Sequence, residues 1–406
     1  MTDAVDVFIS GGGIAGLTAA AAFASAGFSA VVVDPAPPVT EATAEGADLR
    51  TTAILQPGRE VLEAAGLWPR LAPHAAPLRV MRLADLGAAG ARPRVLRDFV
   101  SDEISGAPFG WNLPNWLLRR EMVARLDDLP GAGFRPGIAT RDVLSRRNEA
   151  IVTLSDGTRL SARMVIAADG RDSPLRRSLG IGARRLRYGQ RALVFSVSHP
   201  HPHEGISTEI HRTGGPFTLV PLPDHQGRPA SAVVWMERAR EAARLARLPV
   251  ADFEAAATAR SAAMLGPLAL ISARRDWPII SQIADRFAEG RVALLAEAAH
   301  VVPPIGAQGL NMSLADIADL LARAGAAPDR LGAPDVLAAH ARRRRPEALA
   351  RLAGIDALNR ASIAGLPLLP DLRAMGLAAL HAAGPVRRGL MRAGLGAGRA
   401  TPPPAG

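Results

Sequence analysis

Gly11, Gly13 and Gly16 stand in a Gly-x-Gly-x-x-Gly pattern, and an acid, Asp34, closes the next apolar run. These residue types at this spacing suit a bound pyrophosphate. Gly11 permits a tight turn, Gly13 removes the Cβ that would hold phosphate off the backbone, and Gly16 lets a helix pack closely on a strand. Ile14 and Ala15 lie where a helix begins, so free N–H groups and the positive end of the helix dipole face the phosphates. Asp34 is placed to accept hydrogen bonds from an adenosine ribose. The chemistry needs three elements to hold it. Residues 5–9 form a short apolar run suited to a buried parallel strand, residues 17–25 an Ala-rich helix, and residues 30–33 a second strand ending at the acid. With all of them in place, the glycines specify a dinucleotide site rather than an ordinary turn. They do not separate NAD from FAD.

Further candidates follow in chain order. Arg50 sits among small polar residues, where a guanidinium can grip a pyrophosphate with two hydrogen bonds, although a solvated arginine fits equally. Arg119 falls in the first turn of a helix expected over 116–129, where a cation opposes the dipole, an argument for contact with an anion. Residues 150–163 read as a hairpin turning at 155–158, and 164–168 as a buried strand that ends in Asp169-Gly170-Arg171-Asp172-Ser173-Pro174. The carboxyl end of a parallel strand is where such sheets bind ligands; Asp169 also suits the N-cap of the next helix. The runs 190–198, 207–211, 215–222 and 231–236 have a different, β-type texture and predict an antiparallel substrate-domain sheet, joined by strands from 78–99. His199, His201 and His203 alternate with prolines and read as an exposed loop rather than a metal site. A last strand, 291–295, leads into Ala296-Glu297-Ala298-Ala299-His300, then a Pro- and Gly-rich loop through Gly309-Leu310-Asn311, then a helix over 312–324.

The 406 residues are 48% hydrophobic, enough for two domains or one composite one, and contain no cysteine, which excludes disulfides, thiol catalysis and cysteine-based metal sites. No run is long enough for a transmembrane helix, and the first strand begins within a few residues, so no signal peptide is expected. The net charge is +10 and every basic side chain counted is arginine. Such a surface favours anionic lipid or acidic cofactors; without a helix-turn-helix, zinc-finger or RNA-binding signature, nucleic acid is not expected as a partner.

The glycine turn, the Asp169-Gly170 pair and the segment 291–311, in that order, resemble the signatures of flavoprotein aromatic hydroxylases, class A monooxygenases, and more narrowly their ubiquinone-biosynthesis branch. The likeness spans roughly residues 3–363. It implies an α/β fold: a Rossmann-type FAD-binding domain built from 1–75, 100–182 and 285–364, like that of p-hydroxybenzoate hydroxylase, with an inserted antiparallel substrate domain from 76–99 and 183–284. It implies FAD as cofactor, NADH or NADPH as reductant, and hydroxylation of a polyprenylated phenol by one atom of O₂ through a flavin hydroperoxide. Gly11, Gly13, Gly16 and Asp34 would hold the adenosine diphosphate half, and Arg50 and Arg119 the flavin or its phosphates. Asp169 would lie by the pyrophosphate and the nicotinamide docking surface, and Gly309, Leu310 and Asn311 against the flavin ring. The family usually has Gly-Asp where this chain has Ala296-Glu297; Glu297 would reach the ribityl hydroxyls with one more methylene. No catalytic base is nameable, since His300 follows a cofactor loop and reads as structural.

Competing readings are a flavin hydroxylase of a small soluble aromatic, a non-catalytic flavoprotein scaffold in a quinone-biosynthesis complex, and a nicotinamide dehydrogenase. The segment 365–396 mixes leucine, methionine and arginine and is divided by Pro370 and Pro385. It predicts two short C-terminal helices, either interfacial, giving a cytoplasmic protein peripheral contact with the inner membrane, or packed on the FAD-binding domain. Residues 397–406 read as a disordered tail.

Overall fold

The computed structural model describes residues 3–87, 93–212, 214–363 and 384–395. The first of the two expected C-terminal helices and the tail 397–406 lie outside them.

The Asp3–Ser10 strand alternates its apolar side chains between two cores. Val7 and Ile9 pack into one hydrophobic cluster and Phe8 into another. A strand buried on both faces belongs inside a sheet covered on each side, the usual place of parallel strands. Its neighbours repeat the pattern: Met164 and Ile166 face the first cluster, Val165 and Ala167 the second. Accordingly Asp3–Ser10 pairs in parallel with Arg159–Ala167 on one side and Ala30–Asp34 on the other. Val292–Leu294 and Ala132–Pro136 extend the parallel array outward. The Ile14–Ser25 helix returns across one face with Leu17 and Phe23 fully buried.

The second arm of the expected hairpin and the buried strand expected after it are one element. Arg159–Ala167 runs without a break because no Gly or Pro interrupts it, and it pairs antiparallel with Ala150–Leu154 on its other edge. The helix expected from about residue 312 begins earlier, as Gln308–Ala326, and the one expected over 116–129 is Asn115–Asp127. Arg119 thus lies beyond the first turn, and the dipole argument for it does not hold.

A second sheet of nine strands contains Ala183–Ser198, Ile206–Arg212, Gly215–His225, Arg228–Arg238 and Arg275–Ala284. Its ladders are antiparallel except where Ile206–Arg212 meets Val80–Asp85 in parallel. Here too the period of two divides the faces. Leu193, Phe195, Phe217 and Trp235 pack with Phe253 of the Val250–Arg260 helix, whereas Ala192, Val194, Thr218 and Val234 line a large cavity on the opposite side. The expectation of an exposed histidine loop fails at His199. That side chain is fully buried, with Nε2 at 2.9 Å from the Ser231 hydroxyl and Nδ1 at 2.8 Å from the His201 carbonyl. Burial holds the imidazole below its usual range.

Candidate functional site

The cavity, of about 630 Å³, runs from the glycine loop to the second sheet. Gly13, Ile14, Ala15 and Gly16 form one wall, with Arg50, Arg119, Arg171, Glu297, Gly309 and Leu310 around them. The glycine roles are visible as space. A Cβ on Gly16 would meet the Gly11 carbonyl at 1.9 Å and one on Gly11 the Ala168 carbonyl at 2.4 Å, whereas one on Gly13 would meet nothing within 4 Å. Gly11 and Gly16 therefore serve close packing, and Gly13 leaves open space beside a helix N-terminus. A second N-terminus, that of Gln308–Ala326, meets the same cavity through Ala307 and Gly309, and neither helix has an acid in its first turn. Two positive dipole ends converge on one space.

The arginines are held by acids. Arg50 forks onto Asp48 with two 2.7 Å hydrogen bonds and stacks on Trp277, 4.5 Å from guanidinium carbon to ring centroid. Asp48 also accepts from the Asn115 amide at 3.0 Å, with Arg119 at 3.7 Å. Burial alone would raise the Asp48 carboxyl, but Arg50, Asn115 and Arg119 outweigh it and hold the group below the usual carboxylate range. Two guanidinium groups against one carboxylate leave a net positive charge on the wall. Across from them Arg171 forks onto Glu297 at 3.0 and 3.3 Å. Asp48 and Arg171 were not among the sequence candidates. Each stands two residues from one that was, but nothing local marks which member of a polar run turns inward.

Three candidates have side chains engaged elsewhere. Asp34 accepts from the Gly12 N–H at 2.7 Å and the Ala36 N–H at 2.9 Å, which ties the second strand to the glycine loop. Asp169 accepts from the Ser173 hydroxyl and from the Leu175 N–H at 3.0 Å, at the start of the Pro174–Ser178 helix. Asn311 accepts from the Leu55 N–H at 2.9 Å and donates to the Ala53 and Ala307 carbonyls at 2.8 and 2.7 Å, fastening the Thr51–Leu55 strand to the long helix. His300 touches the cavity, yet its Nε2 is 2.7 Å from the Asp316 carboxylate in full burial, and Arg344 donates to the same acid at 2.6 Å. That is a structural tie of the His300–Val301 strand to the two helices that carry Asp316 and Arg344.

Residues 4–353 match the model of the FAD binding domain family, and the chain belongs to that family. It is 36% identical over 404 residues to ubiquinone hydroxylase UbiL of Rhodospirillum rubrum, covering 98% of this chain and 91% of the relative. It is 25% identical over 397 residues to 3-demethoxyubiquinol 3-hydroxylase of Escherichia coli, covering 96% and 98% respectively. The crystal structure of p-nitrophenol 4-monooxygenase PnpA from Pseudomonas putida superimposes with a TM-score of 0.78 over 98% of this chain and 100% of that one, at 19% identity, which shows a shared fold. The protein is an FAD-dependent monooxygenase with NADH or NADPH as reductant. The site fits the cofactor: open space at Gly13, two helix N-termini and surplus arginine charge are what an anionic dinucleotide requires.

Proposed function

We propose that the enzyme hydroxylates a polyprenylated phenol in ubiquinone biosynthesis. The observation that carries this is the continuity of the cavity. One end presents the glycine loop and arginines; the other is walled by Leu55, Leu78, Met81, Phe109 and Val220, an apolar chamber suited to a prenyl tail. The full-length likeness to ubiquinone hydroxylase UbiL supports the substrate class.

In this reading residues 1–75, 100–182 and 285–364 form the FAD-binding domain, and 76–99 with 183–284 the substrate domain. Gly13, Ile14, Ala15 and Gly16 hold the diphosphate through backbone N–H groups, and Gly11, whose own N–H donates to the Val33 carbonyl at 2.8 Å, turns the chain beneath them. Arg50 and Arg119, fixed by Asp48, neutralise its charge. Glu297, oriented by Arg171, takes the ribityl hydroxyls. Asp34, Asp169 and Asn311 shape the loops around the site and reach the cofactor only if their present hydrogen bonds exchange. Bound FAD supplies activation of O₂ for transfer to the ring. The chain's own part is to orient that ring, exclude water with the aliphatic wall, and receive the phenolic proton. Peripheral contact with an anionic bilayer, favoured by the arginine excess, would deliver the tail. Association with other quinone-biosynthesis enzymes fits a substrate that stays membrane-bound.

The test uses protein purified with its FAD. NAD(P)H oxidation should accelerate on adding ortho-geranylphenol, a soluble prenylated phenol, with one hydroxylated product per reductant consumed. Equal stimulation by phenols without a prenyl group would point instead to a small aromatic substrate.

A further inference from the structure

Glu209 is a buried acid on the wall of the cavity with, among the described residues, a single protein partner. It is 6% exposed, on the Ile206–Arg212 strand, and lines the chamber with Ser207 and Thr218. Strand alternation puts Ser207, Glu209 and His211 on one face. The His211 Nε2 lies 2.9 Å from the Glu209 Oε1, and Nδ1 lies 3.2 Å from the Ser362 hydroxyl at the end of the Pro334–Ile363 helix. That hydroxyl is itself anchored to the Leu358 carbonyl at 3.0 Å, and its contact with Nδ1 fixes the orientation of the imidazole ring. Among the described residues no other group bonds the Glu209 carboxylate, which leaves Oε2 to a donor from the cavity. Burying a carboxylate in an aliphatic chamber is unfavourable unless something in the chamber bonds it.

Resting on the reading of the cavity as a phenol site, we infer that Glu209 is the catalytic base and His211 its positioning residue. The phenolic O–H donates to Oε2. As oxygen enters the ring, the phenolic O–H bond breaks and its proton passes to Oε2, giving a carboxylic acid; the electron pair stays on the phenolic oxygen and raises electron density at the carbon attacked. The oxygen atom and reducing equivalents are those of the hydroxylation itself, and the proton returns to solvent on product release. Nothing in the run Ser207-Thr208-Glu209-Ile210-His211 marks this role in sequence, because it arises from which face of the strand meets the cavity.

The test compares the parent, Glu209→Gln and Glu209→Asp as FAD-loaded enzymes. Equilibrium dialysis of ortho-geranylphenol reports binding without turnover. Product formation is then measured with that phenol and with a ring-fluorinated analogue whose hydroxyl ionises more readily. Glu209→Gln should lose about a hundredfold or more in kcat, the range of a general base, while binding weakens much less. The fluorinated phenol should narrow the gap, and Glu209→Asp should recover part of it. Equal kcat for parent and Glu209→Gln on both phenols overturns the assignment and leaves the phenol reading standing. A parent that binds neither phenol overturns that reading and the role of Glu209 with it. Should Glu209→Gln lose its FAD, Glu209→Asp decides: a steeper dependence of kcat on phenol acidity than the parent's supports the base, and an unchanged dependence overturns it.

Discussion

Ala296 adopts φ +55°, in the left-handed region, just before Glu297. An L-residue there is crowded by its own Cβ, at about 1–2 kcal/mol. Glycine, which class A hydroxylases usually carry at this position, is free of that strain, although its larger unfolded-state entropy returns part of the gain. Ala296→Gly is therefore expected to raise stability by up to about 1 kcal/mol, read as a higher urea midpoint at unchanged slope. A lower midpoint would show that this conformation is not strained. Legibility at this scale depended on whether a role belongs to the backbone or to a side chain. Gly11 and Gly16 were readable because only glycine tolerates a neighbouring carbonyl that close. Asp169 and Asn311 were readable as positions but not as contacts, since a carboxylate or amide at a loop end satisfies a helix terminus as readily as a ligand. Arg171 acquires meaning only from Glu297, far away in sequence, whereas Asp48 and Glu209 pair with Arg50 and His211 two residues on and acquire theirs from the cavity that they face.

The two long C-terminal-half helices, Gln308–Ala326 and Pro334–Ile363, are joined by buried ion pairs. Asp319 is 2.7 Å from His340 Nδ1, accepts from Arg323 at 2.8 Å and lies 3.1 Å from Arg343. Burial alone would raise its carboxyl, but the His340 and Arg323 hydrogen bonds outweigh this and bring it down to about 2 from 3.8. A carboxyl lowered on folding stabilises the fold above its unfolded value, and that contribution is lost as pH falls through the folded value. The shift corresponds to about 2 kcal/mol at neutral pH, lost between about pH 4 and 2. Asp319→Asn is expected to be less stable than the parent near neutrality, with the difference shrinking as pH drops through that window. A difference independent of pH would contradict the ion-pair account. The first of these helices was legible in the sequence from about residue 312, but the second and its pairing with the first were not, because His340 and Arg344 look like surface positions in an arginine-rich stretch.

Across the whole molecule, the described C-terminal helix Gly384–Leu395 packs against the cavity's apolar end. Met391 clusters with Leu55, Leu78, Phe99 and Phe109, Arg387 donates to Glu103 at 2.6 and 2.9 Å, and the Gln308 amide donates to the Gly394 carbonyl at 3.1 Å. Of the two roles the sequence left open, these contacts give this helix a packing role. Among the described residues no helix is long and apolar enough to cross a membrane. Truncation before Gly365 is expected to lower FAD retention and thermal stability, measured by flavin absorbance and melting. Flotation on anionic liposomes, run in parallel, reports membrane contact: flotation lost along with the segment supports it, and unchanged flotation assigns the segment to packing alone.

The central claim is that flavin chemistry at one end of the cavity is delivered to a prenylated phenol at the other. The most direct measurement is turnover of ortho-geranylphenol by the FAD-loaded enzyme under isotopically labelled dioxygen, followed by mass spectrometry of the product. The expected result is one labelled oxygen atom in each hydroxylated ring, matched to one NAD(P)H consumed. Oxidation of NAD(P)H that yields only labelled hydrogen peroxide, with the phenol recovered unchanged, would contradict it.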